Sequence, residues 1–554
     1  MPHAATEFLT TIQRALGGDA KSDSRVEFTG EGALPSVFAV TDLAAASIGA
    51  AALAVVEYAD AGAAMTPAVS VDRRLASFWF GSSVEPIGWS LPPVWDMIAG
   101  DYACADGWIR LHTNAARHRE AALAVLATAG DKEAVRAAVK RWQADELEAA
   151  VVARGGCAAT MRSLADWSAH PQGKLVASEP LVWLERTEKS APCVDARNRA
   201  RPLAGVRVLD LTRILAGPIA TRFLAGFGAE VLRIDPPNWD ESTIAPEVTL
   251  GKRCARLDLS GAGGRERWLA LLSQADVVIH GYRPDALERL GLGVETRRRA
   301  RPGLIDVSLD AYGWTGPWAG RRGFDSLVQM SSGIADEGMR RTGAEIPTPL
   351  PAQALDHATG YLMAAAAVRG LSARRASGEG SLVRVSLARI AALLTSIAAP
   401  SDTPALTKRD DGDYAATAEA TTWGPARRLR PPVKVEGAAM RWDIPASALG
   451  SSRTSDDISS ALCRQGKHRS CPRDRRRSRC AKGCRPCART CPSVSHAARF
   501  RARPPATQSS RPSRNLHRRP GATERLRTVR QCGRAPSWPR RLRPSEWSSS
   551  PRRP

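Results

Sequence analysis

Between Pro202 and Pro237 the chain reads PLAGVRVLDLTRILAGPIATRFLAGFGAEVLRIDPP. The apolar run Val206 to Leu211 predicts a buried strand, Ala216-Gly217-Pro218 a turn that opens a helix, and Ala229 to Ile234 a second strand. Strand, short helix and strand within about thirty residues make a parallel βαβ unit, because parallel strands need a crossover between them. The pattern continues. QADVVIHGY predicts a strand, DALERLGLG a helix with a glycine stop, and PGLIDVSLDAYG a further strand. The sheet is therefore of doubly wound α/β type. Its first turn lacks the G-x-G-x-x-G that would bring backbone against a pyrophosphate, so a nicotinamide or flavin dinucleotide is not supported.

Downstream, ALDHATGYLMAAAAV places Asp356 at the head of an alanine-rich helix, followed by a basic turn and a strand from Leu382 to Val385. An aspartate there serves either as an N-cap or as a reactive carboxylate stabilised by the helix N-terminus. The same order occurs near the N-terminus in LPSVFAVTDLAAASIGAAALAVVEYADAG, where Asp42 precedes an alanine-rich helix and a short strand. This is the pattern of a partial duplication, one copy entering near residue 30 and the other near 350. Shared alanine content is the competing explanation. Between the copies, Ala105-Asp106-Gly107 predicts a strand or hairpin, with amphipathic helices after it. His112, His118 and His170 are too scattered for a metal frame and are read as structural or surface histidines.

Charge matters here because it misleads. The formal charge of the 554 residues is +23, yet the segment from Ser451 to Pro554 holds 28 of the 79 Lys+Arg and only 5 of the 56 Asp+Glu. That leaves 51 of each sign in the first 450 residues, so no nucleic-acid partner is expected for the body. The last 104 residues are rich in arginine, serine and proline, with no apolar period, and are expected to be disordered. Their cysteines Cys480, Cys484, Cys487 and Cys491 lack zinc-knuckle spacing. An arginine-rich arm and a shifted reading frame of a GC-rich gene are the other readings, the last preferred. The body has four scattered cysteines, Cys104, Cys157, Cys193 and Cys254, and an N-terminus without the apolar core of a secretion signal. Both favour the cytoplasm. The longest apolar run, Leu43 to Val56, is fourteen residues, against about 20 for a membrane span. No membrane segment is predicted.

The runs PLAGVRVLDLTRILAGP, VLRIDPP, GKRCARLDLS, ADVVIHGYRPDALERLGLG, LIDVSLDAYGWTGPWAGRRGFDSLVQMSSG and ALDHATGYLMAAAAV, in that order, resemble the family III CoA-transferases. This CaiB/BaiF family includes formyl-CoA transferase, carnitine CoA-transferase and α-methylacyl-CoA racemase. The resemblance implies an α/β fold, with an open parallel Rossmann-like sheet and a smaller α+β domain. It divides the chain into an N-terminal segment (1–29), a partial second half (30–190), a Rossmann-type domain (202–395), a closing segment (396–450) and the tail (451–554).

It also implies that Asp356 is a covalent nucleophile that passes CoA from an acyl-CoA to a carboxylic acid through an aspartyl-CoA thioester, without ATP, metal or tightly bound cofactor. The oxyanions would call for N–H donors near the helix N-terminus. Asp42 lacks the preceding βαβ half and is read as vestigial. CoA contacts carry over onto Leu257, Gly281, Tyr282 and Arg289, with Arg322 as a fixed charge for an acid or phosphate. Ser260 stands where some members have a lysine, and Leu215 where formyl-CoA transferase has a glutamine. Racemases carry histidine within a Gly-His-Asp triplet; here it is Gly323-Phe324-Asp325, which disfavours that proton transfer. A racemase or isomerase using other residues and an inactive CoA-binding paralogue are the alternatives. The family forms interlocked dimers, so a homodimer is expected.

Overall fold

The computed structural model describes residues 4–18, 25–60, 67–190, 198–401 and 403–453. Its central sheet has seven strands. Six run parallel in the order Lys252–Arg256, Glu230–Asp235, Arg207–Leu211, Val277–His280, Ile305–Asp310 and Glu379–Ser386, and Trp183–Lys189 closes one edge antiparallel. The βαβ units expected from the sequence are all present. Successive residues of each strand face opposite cores: Val208 joins the core under the helices Ala216–Gly226 and Ala354–Ser377, whereas Leu209 and Leu211 face the helix Ala262–Leu272. The edge strand was not anticipated. Its residues are mostly exposed, so WLERTEK carries no apolar alternation to mark it.

Strand order reverses beside Arg207–Leu211, which has Glu230–Asp235 on one side and Val277–His280 on the other. Crossovers leave in opposite directions from that point and open a crevice beyond the carboxyl ends of the strands. The helix Ala354–Ser377 lies along the sheet and packs on both Ala216–Gly226 and Val40–Asp60. Small side chains permit the approach. A Cβ built on Gly360 would stand 2.4 Å from the Ala216 carbonyl oxygen, closer than any side chain allows.

The helix Val40–Asp60 includes Val40–Ala59, long and apolar enough by composition to cross a bilayer and longer than the run Leu43 to Val56. It is buried inside the fold against Ala354–Ser377 and the helix Ala4–Ala15. The two long helices share a register: Asp42 and Asp356 are each the third residue. Each helix leads into a strand and a second helix, Val69–Asp72 with Arg73–Trp79, and Glu379–Ser386 with Leu387–Ser396.

One apolar core runs from Ala4 to Met440, so packing crosses the sequence divisions at 29, 190, 202 and 395. The closing segment returns to the N-terminal part. Val433–Val435 pairs with Val69–Asp72, and Gly424–Arg428 with Val84–Pro86. A smaller α+β unit, built from the strands Gly100–Ala103, Trp108–Leu111 and Ala158–Thr160, has its own core under the helices Ala116–Leu126, Lys132–Val139 and Ala144–Ala153. The tail expectations, including the Cys480 to Cys491 group, lie outside the described residues, as does Cys193.

Candidate active site

The crevice at the switch point is a cavity of about 600 Å³ bordered by the strand ends, by Asp356 and by Arg117 and His118 of the small unit. The strands Arg207–Leu211 and Lys252–Arg256 carry a buried ion pair, Lys252 Nζ to Asp210 Oδ2 at 2.9 Å. The turn after Arg207–Leu211 is strained. Ile214 is β-branched and has φ 65°, a conformation costly for such a residue, and its N–H donates to Glu241 Oε2 at 2.9 Å. The turn carries Arg213, whose guanidinium lies over the rings of Trp239 and Tyr282 and donates to the Tyr282 hydroxyl at 2.6 Å.

Leu257, Gly281, Tyr282 and Arg322 all border this cavity, as do Leu215 and Ser260. Arg289 does not. Its side chain is exposed and pairs with Asp285 one turn earlier on its own helix, so a helix-surface ion pair is what the fold makes of it.

Asp356 sits in the first turn of Ala354–Ser377, but Gln353 is the N-cap, and its side chain makes no cap hydrogen bond. The N-cap reading of Asp356 is thereby excluded. The residue is 8% exposed, and that remainder opens on the cavity. Its backbone N–H donates to Asp325 Oδ2 at 2.9 Å, and the Leu355 N–H also faces Asp325. These first-turn N–H groups are therefore engaged by a neighbouring carboxyl and do not point to an oxyanion as expected. Gln329 donates to Asp325 Oδ1 and accepts from the Leu350 N–H at 2.7 Å, which fixes the assembly.

Burial pushes the Asp356 carboxyl well above the usual carboxylate range, and the negative charge of Asp325 adds to the effect. Burial likewise lifts Asp325 to about 6, against the hydrogen bonds it accepts. Asp310, at another edge of the cavity, is raised by burial to about 7 although it accepts the N–H groups of Tyr312 and Gly313. The Asp42 carboxylate pairs with Arg73 at 2.8 Å and does not border the cavity.

Two histidines from the small unit meet Phe324. His112 stacks on its ring with centroids 3.8 Å apart, and His118 meets it edge-on at 6.0 Å. Burial, then nearby positive charge, lowers His112 to about 3 and His118 to about 4, so both are neutral. His170 lies apart from them, stacked on Trp167 and capping the helix Pro171–Ser178. No cluster of three metal-ligating side chains occurs among the described residues. Sequence reasoning missed Arg117, His118, Arg213 and Asp325. Arg117 and Arg213 carry no signal beyond residue type, His118 reads as structural or surface, and Asp325 enters only within the Gly323-Phe324-Asp325 triplet, because the lining draws on positions from 117 to 387.

Comparison with known proteins assigns the segment that builds this crevice. Residues 203–422 match CoA-transferase family III. The matched segment contains every cavity residue except Arg117 and His118. Over 214 residues the chain is 33% identical to a probable fatty acyl-CoA transferase of Mycobacterium tuberculosis, covering 35% of this chain and 52% of that protein. It is 35% identical over 215 residues to the succinyl-CoA:glutarate CoA-transferase of Mus musculus, covering 36% and 48%. With the acetyl-CoA:oxalate CoA-transferase of Acetobacter aceti it shares 33% identity over 201 residues, covering 34% and 51%. The chain thus spans about half the length of the curated relatives it matches. Among solved structures, a CaiB/BaiF family protein from Brucella suis is similar at 25% identity and a TM-score of 0.32, covering 41% of this chain and 65% of that one.

Proposed function

We propose that the chain transfers CoA between an acyl-CoA and a carboxylic acid, with Asp356 as nucleophile. One observation carries this. Asp356 is a buried carboxylate at the head of a helix, in the same cavity as Leu257, Gly281 and Tyr282, and it accepts no hydrogen bond and pairs with no cation among the described residues. A carboxylate left without a partner is reactive where a paired one is spent, as the pairing of Asp42 with Arg73 illustrates.

In this reading an Asp356 oxygen attacks the thioester carbonyl, the C–S bond breaks, and CoA departs as thiolate to leave a mixed anhydride. The thiolate attacks the aspartyl carbonyl and expels the donor's carboxylate, giving an aspartyl-CoA thioester. The acceptor's carboxylate then attacks that thioester and regenerates thiolate and anhydride. Attack of the thiolate on the acceptor's acyl carbonyl releases the new acyl-CoA and restores Asp356. Every bond broken is replaced by one of its own kind, so no external energy source is required. Tyr282, oriented by Arg213, and Leu257 are the surfaces assigned to CoA. The elevated carboxyl is a strong nucleophile once ionised, so the rate should climb with pH. The same reading places the chain in the reducing cytoplasm as a homodimer, and the buried free thiols of Cys104, Cys157 and Cys254 suit that compartment.

Incubation with an acyl-CoA followed by hydroxylamine should convert Asp356 to its hydroxamate, detectable by peptide mass. Asp356→Asn should lose both the label and at least about 10³-fold in turnover, as removal of a covalent nucleophile does. An unlabelled Asp356 in an active protein would sink the reading. A second reading, proton exchange at the α-carbon of an acyl-CoA, rests on the neutral His118 in the same cavity. Deuterium uptake from D2O into the acyl chain without hydroxamate formation is its signature.

A further inference from the structure

A second cavity, of about 670 Å³, shares no residue with the one that Asp356 borders. It lies where the end of the helix Ala4–Ala15 and the later turns of Ala354–Ser377 meet the edge strand Trp183–Lys189. Arg369 borders it, about 20 Å along the helix axis from Asp356 at 1.5 Å per residue. Three guanidiniums from three elements meet there: Arg14, Arg186 and Arg369. Among the described residues no acidic side chain lines the cavity. Arg186 stands opposite Ser381 in the strand register and Leu184 opposite Val383, so Arg186 and Ser381 share the sheet face on which Val383 joins the main core. The rest of the wall is largely apolar, with Leu16, Val182, Leu184 and the 37% exposed Trp183.

Two buried donors in this wall are unused. Arg369 is fixed at both ends of its fork: Nη1 pairs with Glu57, and Nη2 donates to Gln13 Oε1 at 2.9 Å. The backbone closes on it as well, since a Cβ built on Gly18 would stand 2.7 Å from Nη2. Its Nε is buried and has no acceptor among the described residues. Ser381 is 1% exposed, and its hydroxyl likewise has no partner among the described residues. Gly370, which also borders the cavity, leaves that hydroxyl uncovered, because a Cβ there would lie 3.4 Å from Ser381 Oγ. Arg14 and Arg186 have exposed side chains with no carboxylate partner among the described residues. Burying a donor without an acceptor is costly, and an anion in the cavity would remove that cost at both positions. Cations from three elements, two orphaned donors and no acid are complementary to an oxyanion, and the apolar walls to the body that carries it.

We propose that this groove is a second ligand site, for a small organic oxyanion: a carboxylate or a phosphate ester on an apolar body, held by Arg14, Arg186, the Arg369 Nε–H and the Ser381 hydroxyl. The site stands whatever reaction Asp356 performs. Guanidiniums recognise carboxylate and phosphate alike, so the two sources of the anion are separated by the choice of probe.

Hexyl phosphate, hexanoate and hexanol present one apolar body with a phosphate, a carboxylate or no charge. Hydrogen–deuterium exchange of the full chain shows where each binds: an anion should slow exchange in peptides spanning 14–17 and 182–186, and hexanol should not. By calorimetry the preferred anion should bind at least about tenfold more tightly than hexanol, as charge-assisted hydrogen bonds allow. The tighter of the two anions names the source. Arg14→Gln and Arg186→Gln should each raise its Kd at least about threefold, with hydroxylamine labelling of Asp356 unchanged. Ser381→Ala distinguishes recognition from packing. A hydroxyl that donates to the ligand raises the Kd when it is removed, whereas one that is only orphaned leaves the Kd unmoved and the variant more resistant to urea. Equal binding of the three probes overturns the proposal, as does protection confined to peptides of the Asp356 cavity. An anion Kd unmoved in all three variants overturns it too.

Discussion

At the scale of single residues, environment separates two aspartates in equivalent positions. Asp42 and Asp356 both occupy the third position of an alanine-rich helix. Arg73 satisfies the first, whereas the second faces another carboxyl. Ionising both members of the Asp325–Asp356 pair puts two like charges in a site of low dielectric, so the folded state retains protons that the unfolded chain has given up. With native carboxyls raised, the native state binds more protons than the unfolded one, and stability present at low pH is lost as pH rises. The window opens near pH 4, where an unfolded aspartate titrates, and extends through about 6 for Asp325 and higher for Asp356. Asp356→Asn removes one charge of the pair. Its stability relative to the original chain, from urea unfolding at several pH values, should therefore grow between pH 5 and 8. Parallel pH profiles for the two proteins would show that the carboxyls do not interact.

The site depends equally on how whole elements approach. Asp356 borders the cavity because Ala354–Ser377 lies against Ala216–Gly226, and Gly360 is the point where backbone meets side-chain-free helix. Gly360→Val would drive Ile219 and the Ala216 carbonyl away, and Ala216 itself borders the cavity. A loss of about 1–3 kcal/mol or more is expected from overpacking, together with weaker CoA binding. Urea unfolding and a CoA titration measure the two effects. The strands were readable in the sequence where burial on both faces makes a nearly continuous apolar run, as in Arg207–Leu211 and Ile305–Asp310. Trp183–Lys189 was not, because an exposed edge strand is held by backbone pairing to Glu379–Ser386, to which its side chains contribute little.

For the molecule as a whole, the informative arrangement is that residues from two distant parts of the chain share one cavity. Arg117 and His118 come from the small unit, and the remaining lining comes from residues 211–387. A buried cluster binds the parts together: Glu247 of the sheet half accepts from Ser83, and Arg222 and Arg428 flank it. Burial opposes the charge on Glu247, yet the two guanidiniums outweigh it and hold the carboxyl at about 2. Near the end of the described residues, Ser452 still exchanges hydrogen bonds with Cys254. A chain ending at Arg453 keeps every residue of the cavity and of this cluster. It should retain the hydroxylamine-trappable carboxyl and lose the strong positive charge, as isoelectric focusing and the trapping assay would show. If trapping disappears, the last 101 residues belong to the functional protein.

The sequence by itself determined the parallel sheet, the alanine-rich helices and the aspartate at the head of each, because strand and helix periods and turn residues act over a few positions. The family resemblance, rather than any local period, singled out Leu257, Gly281, Tyr282 and Arg322, and all four border the cavity. Only the tertiary structure decided which aspartate is paired, that Arg289 turns away to Asp285, and that Arg117 faces the cavity while Arg321 is neutralised. Charge state and pairing depend on which side chains meet across long stretches of chain, and no local period records that.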